Sequence, residues 1–569
     1  MRIPNDPVLG HPRVMRRYQI GILVAVAAVI ILILIVQGLA NLYTNYLWYR
    51  SINLTTVWRS MAETRLALAA VFCGAFFIAC WLSLYVVDLI SPSALYLAPE
   101  LELVRRYQAT FGRYRVSVRT IVSLVLALAV GAGTNAQWQH WLLFIHSRKF
   151  GVRDPEFHKD VGYFVFRLPW LSFLVDWSLV ALIVLLVVTL VAHYLNGGIR
   201  TSGPPPRVDS RAAAHISFLL ALIALVRAAG YFFIDRYALD LSNNGAVTGA
   251  GYTDVHVRLP ALTLLAVVSM VAFVLFSFNL YQRSSVLPAA TIGLWVFVAI
   301  VLGYAYPAVV QWLRVRPAES TLELPYISRN ITATRDAFGL GKVTAQPFLA
   351  QQDLAANDVN ANRSSLDELP LWDPQVAAAT YDNLQALHGY YSLAGLSTDR
   401  YQLGTGASSA LTPVVVGTRQ ILPSGEPRQS WVNTHLEYTH GYGVVLSPAN
   451  TTGASGKPVF DIGGAPVTST GGAPKVTQPD IYFGTSGPDY AIVDTRQPEL
   501  DYEASTGSKP VTNSYEGRGG VQLTGFWQRA AFAMRFHDLN LLVSKLVTPQ
   551  SRILYFQNID RRVSQAAPF

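Results

Sequence analysis

Two histidines and a glutamate lie within six positions of one another in the segment HLEYTHGYG, residues 435–443. His435 and His440 supply two imidazoles and Glu437 supplies a carboxylate, all of which can ligate a metal ion. If these groups converged on one ligand, their imidazole and carboxylate atoms would suit a metal ion or acid–base catalysis. A cell-envelope hydrolase or transferase built around His435 and His440 is therefore one hypothesis for the function.

The spacing of the three residues argues against convergence within one regular element. The flanking residues predict a strand that enters a turn at Gly441 and leaves as a second strand. Side chains alternate along a strand, so His435 and Glu437 would share one face and His440 the other. On a helix the three would be spread around the cylinder, and they do not match the i, i+4 histidine pair of H-E-x-x-H zinc enzymes. A bulge or the turn could still bring His440 inward, and distant carboxylates could complete a site.

We favour structural histidines at 435 and 440, keep both as catalytic candidates, and predict no metal and no cofactor. The segment NDVNANRSSLDEL, residues 357–369, has calcium-loop spacing but lacks the required glycine and the final glutamate, which predicts a polar loop. The glycine-rich residues 517–525 match neither nucleotide-binding pattern, and no G-x-S-x-G motif is present. The absence of an enzymatic motif favours a non-enzymatic role.

The composition indicates a membrane protein. Hydrophobic residues make up 51% of the 569 residues and charged residues only 14%, which is more apolar than soluble proteins usually are. Residues 1–309 carry 24 Lys and Arg against 13 Asp and Glu, whereas residues 310–569 carry 20 against 22. The excess of positive charge lies between apolar segments, where it indicates membrane orientation and not a nucleic-acid surface.

Seven apolar segments reach the length of about 20 residues that a bilayer core requires. They predict an α-helical membrane bundle over 1–309, with spans at about 19–42, 65–88, 118–136, 169–194, 212–234, 259–280 and 287–309. Lys and Arg are more frequent in the loops that lie inside when the N-terminus is cytoplasmic. We therefore predict a multi-pass protein of the bacterial plasma membrane with its C-terminal domain extracytoplasmic.

Two charged residues stand inside the predicted spans. Asp176 and Arg227 each lie roughly 12 Å inward from the outer end of consecutive antiparallel helices, at 1.5 Å per residue. Because a lone charge at that depth is costly, pairing or a wet cavity is expected. We predict an intramembrane charge pair between Asp176 and Arg227 that either fixes helix packing, the favoured role, or lines a polar pathway.

Residues 310–569 predict an α+β, strand-rich extracytoplasmic domain. Short apolar runs such as TPVVVGTR, YGVVLS and DYAIVDT, bounded by turn residues, are typical of strands. A helix is predicted in WDPQVAAATYDNLQAL, capped by Asp373 and begun by Pro374, and another over 525–547. The second helix is amphipathic, so it either packs on its own domain, which we favour, or lies on the outer leaflet. Residues 449–477 are predicted to be a loop.

Several long motifs resemble a known family. They include LRVRPAESTLELPYISRNITATRDAFGL, THGYGVVLSPAN, DIYFGTSGPDYAIVDTRQPELDY and RILYFQNIDRRV, together with FGVRDPEFHKDVGYFVFRLP in a loop between spans. These segments resemble the uncharacterised family UPF0182 of multi-pass bacterial membrane proteins over essentially the whole chain. The resemblance implies a plasma-membrane location, about seven N-terminal spans and a large outer domain that continues beyond "SQAAPF". It implies no reaction and no catalytic residue.

Three functions are open, in order of preference. The first is a membrane-anchored module that binds or organises cell-envelope components. The second is a transporter or lipid-handling protein that uses the helix bundle, and the third is the envelope hydrolase or transferase. The expected partners are the lipid bilayer and envelope lipids, glycans or other membrane proteins, but no nucleic acid.

Overall fold

The fold was determined from a computed structural model of the chain. The structure describes residues 12–90, 114–200, 207–243, 247–284, 286–348, 353, 355–393, 395–406, 409–503 and 509–568. Arg105 and Arg106 contribute to the Lys and Arg count that predicts the orientation in the membrane. They lie outside the described residues.

Seven helices of the described residues are long and apolar enough to cross a membrane. They are α1 (Pro12–Ser51), α2 (Thr55–Ile90), α3 (Arg115–Ile145), α4 (Tyr163–Leu195), α5 (Ser210–Leu241), α6 (Asp254–Gln282) and α7 (Val286–Leu322). Each contains one predicted span, so the prediction of seven long apolar helices is confirmed. Most are longer than their apolar segments because helical backbone continues into the polar flanks.

Several of these helices contain a π-helical turn, in which hydrogen bonds close one residue later than in an α-helix. Such turns occupy Tyr163–Arg167 in α4, Tyr231–Asp235 in α5 and Asp254–Arg258 in α6. Helix α7 has two, at Val301–Ala305 and Gln311–Val315. Because a π-helical turn holds more residues, it rotates the side chains that follow relative to an unbroken α-helix.

The chain divides into two compact units. One comprises residues 61–347 and the other comprises residues 1–60 together with 348–569. This division differs from the predicted boundary between 309 and 310 in two ways. Helix α7 continues to Leu322 and is followed by α8 (Leu324–Ala337), and the first helix belongs to the C-terminal unit.

The C-terminal unit is rich in short strands, as predicted. The strands between residues 391 and 448 are β3 (Tyr391–Ser392), β4 (Ser397–Leu403), β5 (Ala410–Thr418), β6 (Gln420–Ile421), β7 (Gly441–Tyr442) and β8 (Val444–Pro448). Those after it are β9 (Ile462–Gly463), β10 (Thr468–Ser469), β11 (Asp480–Ile481), β12 (Tyr490–Val493), β13 (Glu499–Tyr502), β14 (Val511–Asn513), β15 (Val521–Gln522) and β16 (Arg552–Tyr555). The first two strands of the chain, β1 (Ile199–Arg200) and β2 (Arg207–Val208), form a hairpin in the other unit.

All pairings between these strands are antiparallel. The largest sheet has the order β10-β9-β8-β5-β4, and a second sheet has the order β12-β16-β15. Smaller pairs join β11 to β7, β13 to β14 and β3 to β6. Strands β9 and β10 fall in the segment predicted to be a loop, so that prediction was wrong for four residues that form a short hairpin.

The C-terminal unit also contains six short helices among its described residues. They are α9 (Ala356–Ala361), α10 (Arg363–Asp367), α11 (Pro374–Gln385), α12 (Phe526–Phe536), α13 (Asn540–Val543) and α14 (Ile559–Ala566). Asp373 caps α11 by accepting a hydrogen bond from the backbone N–H of Gln375, as predicted. Tyr381 of α11 packs with Val415 of β5 and Val445 of β8 in a buried core.

Two other predictions for this unit were wrong. The segment predicted to be a polar loop at 357–369 forms α9 and α10 instead. The helix predicted over 525–547 is divided into α12 and α13, because His537 takes a left-handed backbone conformation with φ of 54° and ends α12.

Candidate functional site

The three candidate side chains His435, Glu437 and His440 do not converge on one point in the structure. Residues 433–437 form a π-helical turn and not a strand, so His435, Glu437 and His440 point into different surroundings. His435 stacks flat on the ring of Tyr490 with 3.9 Å between centroids, and its Nδ1 lies 2.8 Å from the Tyr490 carbonyl oxygen. Burial lowers the pKa of His435. This histidine therefore has the contacts of a structural residue.

The Glu437 side chain contacts neither histidine and bonds to Gln497 instead. Its Oε2 accepts a long hydrogen bond of 3.4 Å from Gln497, and burial together with the nearby charge of Glu503 raises its pKa. No contact joins the Glu437 side chain to His435 or His440 among the described residues. The three side chains that could ligate a metal are therefore close in sequence but do not meet in the structure.

His440, in contrast, lies fully buried among carboxylates that are distant in sequence. Its Nε2 is 3.3 Å from Asp501 Oδ1, and its Nδ1 is 3.7 Å from Glu499 Oε2 and 3.0 Å from the Thr439 hydroxyl oxygen. Asp480 completes the group, since ligand atoms of His440, Asp480 and Asp501 all lie within 4.8 Å of one another. We call His440, Asp480, Glu499 and Asp501 the His440 cluster.

Strand geometry explains how the carboxylates meet. Glu499 and Asp501 are two positions apart on β13, whose pairing with β14 is irregular between Leu500 and Tyr502. Both carboxylates contact His440, whereas Leu500 between them is buried in the hydrophobic core. Asp480 begins β11, which pairs with β7 directly after His440. Asn513 of β14 stands opposite Glu499 in the register and donates a hydrogen bond of 2.7 Å to Asp480.

Gly441 fixes the backbone next to His440. A Cβ atom at this position would stand 2.1 Å from the carbonyl oxygen of Arg419, which is far inside contact distance. Only glycine permits the chain to pass this close to Arg419. The carboxylates could not be foreseen as partners of His440 because they follow it by 40 residues or more. The alternation of Glu499 and Asp501 on either side of the apolar Leu500 was the available signal, but no strand was predicted there.

Glu499 is the most completely bonded member of the cluster. Its Oε2 accepts hydrogen bonds from the hydroxyl groups of Thr439, at 2.6 Å, and Tyr482, at 3.0 Å. Its Oε1 accepts from the backbone N–H groups of Asp494 and Tyr515. These four donors fix the orientation of the buried carboxylate.

The electrostatics of the cluster are unbalanced toward negative charge. Burial by itself would lower the pKa of His440, but its hydrogen bonds to Asp501 and Glu499 outweigh that effect and raise it to about 9. Burial raises the pKa of Asp480, and the like charges of Asp501 and Glu499 act in the same direction. No Lys or Arg of the described residues forms an ion pair with the three carboxylates. One histidine therefore faces three acidic groups.

A small cavity borders His440. It has a volume of about 10 Å³ and is lined by residues that include His440, Thr439, Tyr482 and Gln557. Gln557 is only 3% exposed, and its amide donates hydrogen bonds to the carbonyl oxygens of Thr439 and Tyr482, whereas its Oε1 has no partner among the described residues. The cavity has room for one water-sized species but is too small for an organic substrate.

A larger pocket opens beside this cavity, and we call it the Arg535 pocket. It has a volume of about 380 Å³ and shares Ser486, Gly487, Pro488 and Gln557 with the lining of the small cavity. The other lining residues are Thr485, Asp489, Arg535, Phe536, Tyr555, Phe556, Asn558 and Arg561. Among the described residues Arg535 has no acidic partner, so the pocket presents a guanidinium to an incoming ligand.

The predicted charge pair between Asp176 and Arg227 is not the pair that the structure forms. Arg227 Nη1 lies 3.1 Å from Asp235 Oδ2 on the same helix, and its guanidinium lies over the ring of Tyr231 at 4.0 Å. The π-helical turn in α5 turns Asp235 toward the face of Arg227. Asp176 is exposed on α4 instead.

The bundle also holds polar contacts that the sequence reasoning missed. Arg119 is buried and pairs with Asp88 at 3.0 Å. Asp88 lies at the end of the second predicted span, and Arg119 lies at the start of the third. Farther along, His193 Nε2 lies 3.2 Å from His215 Nδ1, and Ser83 contacts both Thr189, at 2.6 Å, and His215, at 3.4 Å. The signal for this second group was the occurrence of two histidines in consecutive apolar segments.

Comparisons with known proteins agree on one family. The model of the uncharacterised protein family UPF0182 matches residues 22–569. A UPF0182 protein of Frankia alni is 38% identical over 92% of this chain and 51% of its own length, and one of Streptomyces coelicolor is 32% identical over 100% of this chain and 56% of its own. One of Cupriavidus necator is 36% identical over 96% and 59%.

The chain thus spans between about half and two thirds of the length of these relatives. No solved structure matches it. The match over nearly the whole chain, together with the seven apolar helices, confirms the resemblance seen in the sequence: the chain belongs to the uncharacterised protein family UPF0182.

Proposed function

We propose that this protein is a membrane-anchored module that binds or organises components of the cell envelope. Its C-terminal unit would stand on the outer side of the cytoplasmic membrane, with the N-terminus inside. The observation that carries the proposal is that α1 is at once a helix apolar enough to cross a membrane and an integral part of the C-terminal unit.

The burial pattern along α1 changes abruptly at Ala40. The residues between Leu32 and Leu39 are exposed or half-buried, as a lipid-facing helix requires, whereas Ala40 is 4% exposed. Trp48 and Tyr49, two turns farther on, are fully buried within the C-terminal unit. The apolar stretch therefore leads directly into a packed contact with no flexible linker between them.

Specific bonds make this attachment rigid. Arg535 of α12 donates hydrogen bonds of 2.9 Å to Thr44 and 2.7 Å to Asn45, and the hydroxyl of Tyr555 donates one of 2.6 Å to the Thr44 carbonyl oxygen. The ring of Trp48 meets Phe556 edge-on at 5.0 Å. Strand β16 and α12 are thereby fixed to the end of the membrane helix.

The apolar surface of α12 and α13 supports a position against the membrane. Phe526, Trp527, Leu539 and Val543 are each at least 62% exposed. The neighbouring His537 contacts Gln37 of α1 at 3.2 Å, close to the end of the lipid-facing stretch. Because exposed aromatic and aliphatic residues favour the headgroup boundary, this surface would lie in the outer leaflet.

The Arg535 pocket supports a binding role. It lies beside the attachment to α1, so a ligand in the pocket would be held near the membrane surface. Arg535, whose Nη1 also donates to Thr44 and Asn45, and Arg561, which also pairs with the exposed Asp489 at 3.5 Å, favour an anionic group. The hydroxyl and amide groups of Ser486 and Asn558 suit a polar headgroup or a glycan. Envelope lipids and glycans have this chemistry.

The side of the membrane is tested by cysteine labelling. The two native cysteines are replaced by serine, and single cysteines are introduced at exposed Ser455 or at exposed Ser210, which precedes the fifth apolar segment. Intact cells are then treated with a membrane-impermeant maleimide. We expect labelling at 455 only, with labelling at 210 after permeabilisation; the reverse pattern would overturn the outer placement.

The ligand is tested by mass spectrometry of the protein extracted in mild detergent. We expect a retained anionic lipid or glycan, and we expect Arg561→Gln to reduce its amount at least tenfold. Lys475→Gln, at a lysine outside the pocket, is the matched control. Equal retention in the wild type and Arg561→Gln would exclude the Arg535 pocket as the site.

Transport by the bundle is the second candidate, and one observation favours it. His193 and His215 form a buried polar group with Ser83 and Thr189, and Nδ1 of His193 has no partner in the described part of the chain. Such a group could relay a proton. In proteoliposomes with a pH-sensitive dye, proton flux should fall when His193 is replaced by glutamine; absence of flux in the wild type would remove this candidate.

A further inference from the structure

The His440 cluster combines one imidazole and several carboxylates in a way that no recognised motif of the sequence describes. We propose that His440, Asp480 and Asp501 bind a divalent first-row metal ion, Zn²⁺ or Mn²⁺. The site is new in the sense that its residues come from three strand regions and match no linear metal-binding pattern. It does not depend on the function proposed above.

The distances suit a shared ion. Zn²⁺ binds imidazole nitrogen and carboxylate oxygen at about 2.1 Å. Two atoms each 2.1 Å from one ion and 3.3 Å apart, as His440 Nε2 and Asp501 Oδ1 are, would subtend about 104° at the ion, close to a tetrahedral angle. Asp480 completes three protein ligands with a shift of the order of 1 Å.

The choice of ion follows from the donor atoms. Imidazole favours zinc and its neighbours, whereas carboxylate oxygen also suits Mn²⁺, Mg²⁺ and Ca²⁺. One imidazole with two carboxylates therefore selects Zn²⁺ or Mn²⁺ over the alkaline-earth ions. Cysteine cannot contribute, because both cysteines of the chain lie in α2.

The surroundings supply the support that metal ligands require. Asn513 orients Asp480, and Glu499 accepts from Thr439, whose hydroxyl also contacts His440. Such outer contacts fix the orientation of ligands and raise metal affinity. They leave Asp501 Oδ1 directed at His440.

Charge and space give an independent reason for a cation. Three acidic groups and one histidine lie together without a lysine or arginine in an ion pair with them, and a divalent cation would offset that excess. A cavity of about 10 Å³ borders His440 but not Asp480 or Asp501. It has room for one water-sized species, and its lining includes Gln557, whose Oε1 has no partner among the described residues. Its shared lining with the Arg535 pocket provides a route from solvent.

The proposal is tested on the full chain in detergent, with any affinity tag removed. Isothermal titration with Zn²⁺ and with Mn²⁺ should show one ion per chain, and Mg²⁺ and Ca²⁺ should bind at least tenfold more weakly. Asp480→Asn and Asp501→Asn should each weaken binding at least tenfold. Asp399→Asn, at an exposed aspartate of β4 outside the cluster and both cavities, is the control and should leave binding unchanged.

A spectroscopic measurement covers the case in which a variant fails to fold. Electron spin-echo envelope modulation of the Mn²⁺-loaded wild type should show coupling to one imidazole nitrogen, which His440→Gln should remove. Absence of stoichiometric binding, retention of binding in both aspartate variants, or an Mn²⁺ spectrum without nitrogen coupling would each overturn the proposal.

Discussion

Arg535 provides the sharpest test of the rigid attachment between α1 and the C-terminal unit. Its guanidinium donates hydrogen bonds to Thr44 and Asn45 and lies 4.9 Å from the ring centroid of Tyr555. Replacement by glutamine removes the charge and shortens the side chain, so both hydrogen bonds and the ring contact are lost. The rest of α12 keeps its own packing, because Phe532 and not Arg535 fills the core there.

The size of the effect follows from these contacts. A hydrogen bond from a charged donor contributes about 1.5 kcal/mol at the low end, and a partly buried cation–π contact adds about 1 kcal/mol. Glutamine also avoids the cost of a half-buried charge, which we take as about 1 kcal/mol. We therefore expect Arg535→Gln to destabilise the attachment by about 3 kcal/mol, which is about a hundredfold in an equilibrium constant.

Hydrogen exchange of the protein in nanodiscs measures this directly. Amides of α12 and of β16 should exchange about a hundredfold faster in Arg535→Gln, while those of β5 and β8 should not change, because local opening reports local stability. Arg529→Gln on the same helix is the matched control, since the Arg529 side chain has no ion pair among the described residues. A change below threefold in α12, or an equal acceleration in β5, would refute the reasoning.

Three further predictions follow from individual contacts. Burial raises the pKa of Glu426 above its ordinary value, so the folded state loses stability as the pH rises and this carboxyl group ionises. Glu426→Gln removes that ionisation and should raise the Tm by about 2 °C at pH 7. In thermal scans the gain should vanish near pH 4. Because Arg227 pairs with Asp235, the Tm lost in Arg227→Leu should return with a second change, Asp235→Leu, and not with Asp176→Leu. A nitroxide at Val543, in a cysteine-free background, should show higher accessibility to oxygen than to a polar relaxant if α13 enters the leaflet, and the opposite ratio would place it in water.

The sequence was sufficient for the features that depend on local composition. The seven apolar segments gave helices because a chain in lipid must satisfy its backbone hydrogen bonds internally. The cap at Asp373 and the strand runs from residue 410 onward also follow from local rules. The division of the predicted helix at His537 did not, because a left-handed residue other than glycine or asparagine carries little signal in the sequence.

The candidate site, in contrast, could not be predicted from local sequence. His435 and His440 were chosen because they are neighbours in sequence, yet only His440 meets acidic groups, and these lie 40 to 61 positions later. Their meeting depends on the pairing of β7 with β11 and on the course of β13. Such pairing is decided by long-range packing and not by spacing.

The sequence by itself determined that this chain has seven helices able to cross a membrane, a strand-rich second half and a place in the UPF0182 family. The tertiary structure alone decided that α1 belongs to the C-terminal unit, that Arg227 pairs with Asp235, and that His440 lies among three carboxylates. The physical reason is that hydrophobic length and backbone propensity are properties of neighbouring residues, whereas the partners of a buried charge are set by how distant segments pack.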